Sequence, residues 1–182
     1  DFSKRSIAYA KEQTHINNSN IEYLYKNYLT IDYIEQFDAI TLIYCDYAVL
    51  SKENRNILMN KVYQALKPGG KFILDVFTPV MRREESRSWH YNDKGGYWSE
   101  KPYICLESVY QYNDDDLTQL TQYIVLTDDA VDCYHIWDHF FTREALLSEA
   151  QAAGFNEFEF YGDVAGRAFS DSCETICGVF TK

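Results

Sequence analysis

Between residues 21 and 78, apolar runs of strand length alternate with a helical stretch, and this succession constrains the fold more than any other feature of the chain. Ile21 to Lys26 (IEYLYK) alternates with period two. Phe37 to Tyr44 (FDAITLIY) is a nearly continuous apolar run, the pattern of a parallel strand buried on both faces. Ser51 stands where an N-cap would begin a helix through Leu66, with Leu58, Val62, Ala65 and Leu66 on its inward stripe. Lys67-Pro68-Gly69-Gly70 stops that helix by removing a donor and permitting positive φ, and Lys71 to Thr78 (KFILDVFT) reads as the next strand. Strands alternating with a helix imply parallel pairing through right-handed crossovers, so the class is α/β.

The character changes after Pro79. A polar stretch, then Trp89, His90, Tyr91 and Gly95-Gly96-Tyr97-Trp98, reads as an irregular lid. Three β-rich segments follow, at Tyr103 to Tyr112, Leu117 to Leu126 and Val131 to Phe140, divided by the turn-forming runs NDDD and TDD, and they predict an antiparallel meander. Thr142 caps a helix carrying Leu146, Leu147, Ala150 and Ala153, Gly154 ends it, and Phe155 to Tyr161 with Thr175 to Thr181 form a closing strand pair. At the other end Ser3 caps a short helix over Lys4 to Gln13. The 182 residues are read as a single domain, with its core in 1–79 and 141–182 and a β-rich substrate-side insertion in 80–140.

Charge narrows the partners. The 17 basic against 28 acidic side chains leave a net charge of -11, a field that repels phosphate backbones and anionic lipid heads, so neither nucleic acid nor membrane is expected as a partner. No apolar run suits a bilayer span and no leader pattern opens the text, which places the chain in the cytoplasm. The five cysteines are odd in number and never spaced C-x-x-C, so they are read as reduced and mostly buried, and no metal site is expected. The 16 tyrosines point to amphipathic, aromatic-lined surfaces.

Open parallel sheets bind ligands beyond the carboxyl ends of their strands, which singles out three places. Asp1-Phe2, just before the first helix, offers a carboxylate for ribose hydroxyls and a ring for a base; a helix-start Asp is the plainer reading. Asn27-Tyr28 offers an amide to an adenine edge with a ring beside it, or else an ordinary Asn turn. Tyr44-Cys45-Asp46-Tyr47 places one carboxylate beyond the FDAITLI strand, where it can hold a reacting amine or hydroxyl, or marks a plain strand-to-loop transition. His135 and His139 lie four apart in a strand-like segment and are a remote metal candidate.

The runs DFSKRSIAYAKE, EQFDAITLIYCDYAVLS, LKPGGKFILDVFTP and WDHFFTREALLSEAQAAGF together resemble the class I S-adenosylmethionine-dependent methyltransferases of the small-molecule type. The resemblance implies a Rossmann-like sheet of strand order 3-2-1-4-5-7-6, methyl transfer from S-adenosylmethionine, and an antiparallel β insertion before the last helix. It implies Asp1 on the ribose, Phe2 against the adenine, Asn27 with Tyr28 at the adenine edge, and Tyr44 and Cys45 at the cofactor. Asp46 and Tyr47 become catalytic candidates near the reacting centre. The aromatic stretch from Trp89 to Trp137 becomes the acceptor pocket, with Trp98, Tyr134 and Trp137 shaping it, and an acidic, aromatic site suits an amine acceptor.

The family's glycine-rich loop after its first strand is absent, so the chain is read as truncated ahead of Asp1. The expectation that follows is an inactive isolated chain with an open edge on the FDAITLIY strand, prone to form a homodimer. Two other functions fit parts of the text. One is a non-catalytic association module; the other is a nicotinamide-dependent reductase, against which LKPGG and the late hairpin weigh.

Overall fold

The structure, a computed structural model, describes residues 3–16 and 20–182. Helix α1 (Lys4–Ile16) starts as the sequence predicts, with the Ser3 hydroxyl accepting from the Ser6 amide at 3.1 Å. Strand β1 (Phe37–Leu42) leads through a short 3-10 turn (Asp46–Val49) into α2 (Lys52–Ala65) and then β2 (Leu66–Phe77). The Ser51 hydroxyl caps α2, accepting from the Asn54 amide at 3.3 Å. After the insertion come α3 (Arg143–Ala152), β7 (Glu157–Tyr161) and β8 (Thr175–Thr181), and the Thr142 hydroxyl caps α3 through the Ala145 amide.

These strands form a mixed sheet in the order β1-β2-β8-β7, with β1 and β2 parallel and β8 antiparallel to both neighbours. The expected α/β, Rossmann-like architecture is present, and the order matches the 4-5-7-6 portion of the predicted sheet. Helices α2 and α3 pack on the same face, where Leu58, Met59, Val62, Leu146 and Ala150 meet Phe72, Leu74, Val76, Ile176 and Phe180 in one continuous core. Because both helices choose that face, β1 is not buried on two sides as its apolar text implied. Ile40 and Leu42 turn toward the core, whereas Ala39, Thr41 and Ile43 are exposed.

The Lys67–Gly70 segment is a bulge within β2 and not a loop before it: Phe37 pairs with Leu66, and the next partner, Ala39, pairs with Lys71. Gly69 adopts φ +77° and donates to the Lys182 carbonyl at 2.9 Å, and a Cβ on Gly70 would stand 2.9 Å from the Lys67 oxygen. Glycine is needed at the first for its dihedral and at the second for close approach of backbone.

A second sheet, antiparallel and four-stranded, fills the insertion in the order β3 (Ser86–Asn92), β4 (Tyr103–Gln111), β5 (Gln119–Leu126) and β6 (Val131–Asp138). The last three are the predicted meander. The first corrects the reading of 80–102 as an irregular lid, since Ser86 to Asn92 pairs along its whole length with Val109 to Tyr103. Its seven residues are almost entirely exposed on both faces and lack aliphatics, so a backbone ladder holds it and no burial pattern announces it. Conversely, Ile21 to Lys26 is not a strand: among the described residues no strand runs beside it, and alternation alone supplies no ladder partner. Among the described residues no helix is long and apolar enough to cross a membrane.

Candidate active site

The parallel strands β1 and β2 end side by side, and the backbone beyond β1 is strained. Tyr44 and Cys45 sit at φ 79° and 57°, left-handed values that cost β-carbon-bearing residues about 1 kcal/mol or more each. Two bonds over-determine this bend. The Asp75 carboxylate of β2 accepts from the Cys45 amide at 3.0 Å, and the Ala48 amide donates to the Cys45 carbonyl at 3.0 Å, closing the 3-10 turn. The bend leaves Tyr44 94% exposed and buries Cys45. Burial pushes the Cys45 thiol up to about 12, with Asp75 and, further off, Asp138 adding to the shift.

The same bend brings Asp46 to Tyr28. Burial and then the nearby Asp46 carboxylate raise the Tyr28 phenol to about 12, so it remains a neutral hydroxyl at neutral pH. Asn27 precedes it and spends its side-chain oxygen as a cap, accepting from the Leu29 amide at 2.8 Å. Asp1 and Phe2, expected at the ribose and adenine, lie outside the described residues.

Tyr47 takes a different position from the one anticipated at the acceptor. It is fully buried, and its hydroxyl donates to Glu149 of α3 at 2.6 Å. Burial and the Glu149 carboxylate raise its pKa far above the ordinary tyrosine value. Glu149 is also held by Arg55 of α2, whose Nη2 stands 2.8 Å from Glu149 and 3.0 Å from Asp116 in the β4–β5 connection. Arg55 is itself fully buried, donates to the Leu50 carbonyl, and lies over the Phe141 ring. This cluster joins the two sheets, helped by the His139 amide on the Ala48 carbonyl and the Phe141 amide on the Phe77 carbonyl.

Alternation divides the three aromatic acceptor candidates. Tyr134 shares a face of the second sheet with Thr121, Tyr123, Ile136 and Asp138, and Trp98 stacks on it with ring centroids 4.9 Å apart. Trp137 points to the opposite face, against Tyr112. It therefore does not line a common pocket with Trp98 and Tyr134, because neighbouring residues of one strand face opposite sides. The two histidines likewise separate. His139 is buried on the Thr118 hydroxyl at 3.1 Å, with its pKa lowered by burial and then by Arg55, while His135 lies exposed beside Gln122. Among the described residues no group of His, Cys, Asp or Glu side chains converges to hold a metal ion, and all five cysteines are free.

On the Tyr134 face a cleft of about 180 Å³ opens where the sheets meet, lined by Phe77 at the end of β2, by Met81 and Arg83 beyond it, and by side chains of β5 and β6 that include Thr121, Ile136 and Asp138. Asp75, Arg55, Glu149, Asp116 and Asp138 went unnoticed in the sequence. Arg55 stands on the same inward stripe as Leu58, Met59 and Val62, and Asp75 interrupts an apolar strand, so both carried a visible signal of a buried charge in need of a partner.

Comparison with known proteins bears on the fold. Residues 1–70 match the family model described as a methyltransferase domain. The CcbJ methyltransferase from Streptomyces caelestis superposes with a TM-score of 0.72 at 18% identity, covering 99% of this chain and 72% of that one. The chain has the fold of the class I S-adenosylmethionine-dependent methyltransferases. An S-adenosylmethionine-dependent methyltransferase from Clostridium acetobutylicum gives a TM-score of 0.69 at 14% identity, over 100% of this chain and 72% of its own. The sugar N-methyltransferase KedS8 from Streptoalloteichus sp. gives 0.55 at 15% identity, over 98% and 68%. None of the curated proteins compared with the chain matches it. The strained Tyr44–Asp46 bend lies beyond the carboxyl end of β1.

Proposed function

We propose that the protein transfers a methyl group from S-adenosylmethionine to a small-molecule acceptor at the carboxyl ends of β1 and β2. The observation that carries this reading is the strained bend at Tyr44 and Cys45, held by Asp75, which sets Asp46 near Tyr28 beyond the carboxyl end of β1. Strain of this kind concentrates where a site must be preorganised. The residues suit the cofactor: the exposed Tyr44 ring offers an aromatic face to a purine, and Asn27, Tyr28 and Cys45, with Asp1 and Phe2 as the sequence resemblance implies, are the remaining candidates for that half of the site. Bound S-adenosylmethionine supplies an electrophilic methyl on a sulfonium sulfur.

The chain's own part is positioning, since alignment of a nucleophile can supply roughly 7–11 kcal/mol. Asp46, with the Tyr28 hydroxyl near it, holds the acceptor's reacting hydroxyl or amine, and the stacked Trp98 and Tyr134 rings offer the acceptor an aromatic wall. Tyr47 acts from below, fixing the turn through Glu149. The likeness to KedS8, a sugar N-methyltransferase by name, agrees with an acceptor of small-molecule size. The edge of β1, paired only with β2 among the described residues, offers a second copy a place to add a strand.

The test is methyl transfer by the whole gene product, followed as S-adenosylhomocysteine released. Asp46→Asn is expected to lower turnover by about a hundredfold, within the usual range for a positioned acid or base, with cofactor affinity unchanged. Unchanged turnover, or a loss of cofactor affinity at full turnover, would remove Asp46 from this role.

A further inference from the structure

We infer that Asp138 is the residue by which the cleft between the sheets selects a cationic acceptor, pairing with an ammonium group carried by a ring-sized apolar body. The inference rests on reading this cleft as the acceptor site. Asp138 closes β6 on the Tyr134 face and lines the cleft with Phe77, Phe140, Ile136 and Met81. Its carboxyl is half-buried, yet among the described residues it has neither a hydrogen bond nor a cation, and burial alone raises its pKa.

The other charges nearby are already satisfied. Arg83, the one cation on the cleft wall, is held by Glu107 at 2.6 Å, and the Tyr123 hydroxyl rests on the same Glu107. Asp75 accepts from the Cys45 amide and thiol. The residue after Asp138, His139, donates its amide to the Ala48 carbonyl of the 3-10 turn at 2.9 Å, which brings the end of β6 to the turn that follows the strained bend. A carboxylate half withdrawn from water and left without a partner in the chain is relieved either by taking up a proton or by a cation from outside, and an ammonium group entering the cleft supplies the second. The apolar walls and the volume of about 180 Å³ fit one ring and one short polar arm.

The probe pair is benzylamine and benzyl alcohol, alike in shape and different in charge, titrated by calorimetry or amide chemical shifts against the protein and against Asp138→Asn. Benzylamine is expected to bind the protein about tenfold or more tighter than benzyl alcohol, as charge-assisted pairing implies, and to lose that advantage in Asp138→Asn. Benzyl alcohol is expected to bind both proteins alike, and the melting temperature of Asp138→Asn should not fall, which together show that the cleft has survived the substitution. Equal binding of the two probes to the protein, an advantage retained in Asp138→Asn, or no binding of benzylamine would each overturn the inference. S-adenosylmethionine titrated in parallel separates the two readings: cofactor binding without amine selectivity refutes the role of Asp138 alone, whereas amine selectivity without cofactor binding leaves that role standing and refutes the methyl donor.

Discussion

At the scale of single residues, burial decides which groups can react. The Cys45 thiol, pushed up to about 12 by burial and then by Asp75, stays protonated at pH 8, whereas Cys133 lies exposed on β6. Brief iodoacetamide treatment at that pH, read by mass spectrometry, should label Cys133 and leave Cys45 unmodified, since the thiolate is the nucleophile. Labelling of Cys45 first would show the bend to be open. Arg55 carries the larger energetic consequence. Arg55→Met keeps the volume but leaves Glu149 and Asp116 without their shared cation, and urea unfolding should show a loss of about 2–4 kcal/mol, somewhat below the full cost for a buried pair because both carboxylates retain some water. These residues also mark where reading the text reached its limit. Asp46 and Tyr28 could be picked out as separate strand-end candidates, but Arg55 finds Glu149 94 residues away, and no local period encodes such a partner.

Elements were legible where one face is buried and obscure where neither is. The α2 and α3 stripes, β4 and β7 carry apolar residues at the period of their structure, so their existence followed from the text, whereas β6, exposed along nearly its whole length, was marked by its apolar and aromatic content and the turn before it. Strand β3 shows serine, arginine and exposed aromatics on both sides and depends on its backbone ladder to β4, for which sequence carries no direct sign. Ile21 to Lys26 shows the opposite failure, a strand-like alternation with no neighbouring strand among the described residues. The β2 bulge yields a prediction at this scale. Gly70→Ala places a methyl 2.9 Å from the Lys67 carbonyl oxygen and 3.1 Å from that of Phe37, both backbone, and thermal unfolding should report a loss of about 1–2 kcal/mol. A neutral substitution would mean that the bulge relaxes freely.

At the scale of the whole molecule, the isolated 182-residue chain is expected to sediment as a dimer through β1, whose outer edge has no hydrogen-bonded neighbour among the described residues. A clean monomer at micromolar concentration would show that this edge is closed by other means. The site itself depends on how the two sheets are fastened, and beside the backbone bonds of His139 and Phe141 a single buried guanidinium grips α3 on one side and the β4–β5 connection on the other. A hinge needs a seam across which few strong bonds run, and this seam is riveted. The small sheet is therefore not built to swing aside as a door, and an acceptor enters and a product leaves through the mouth of the cleft.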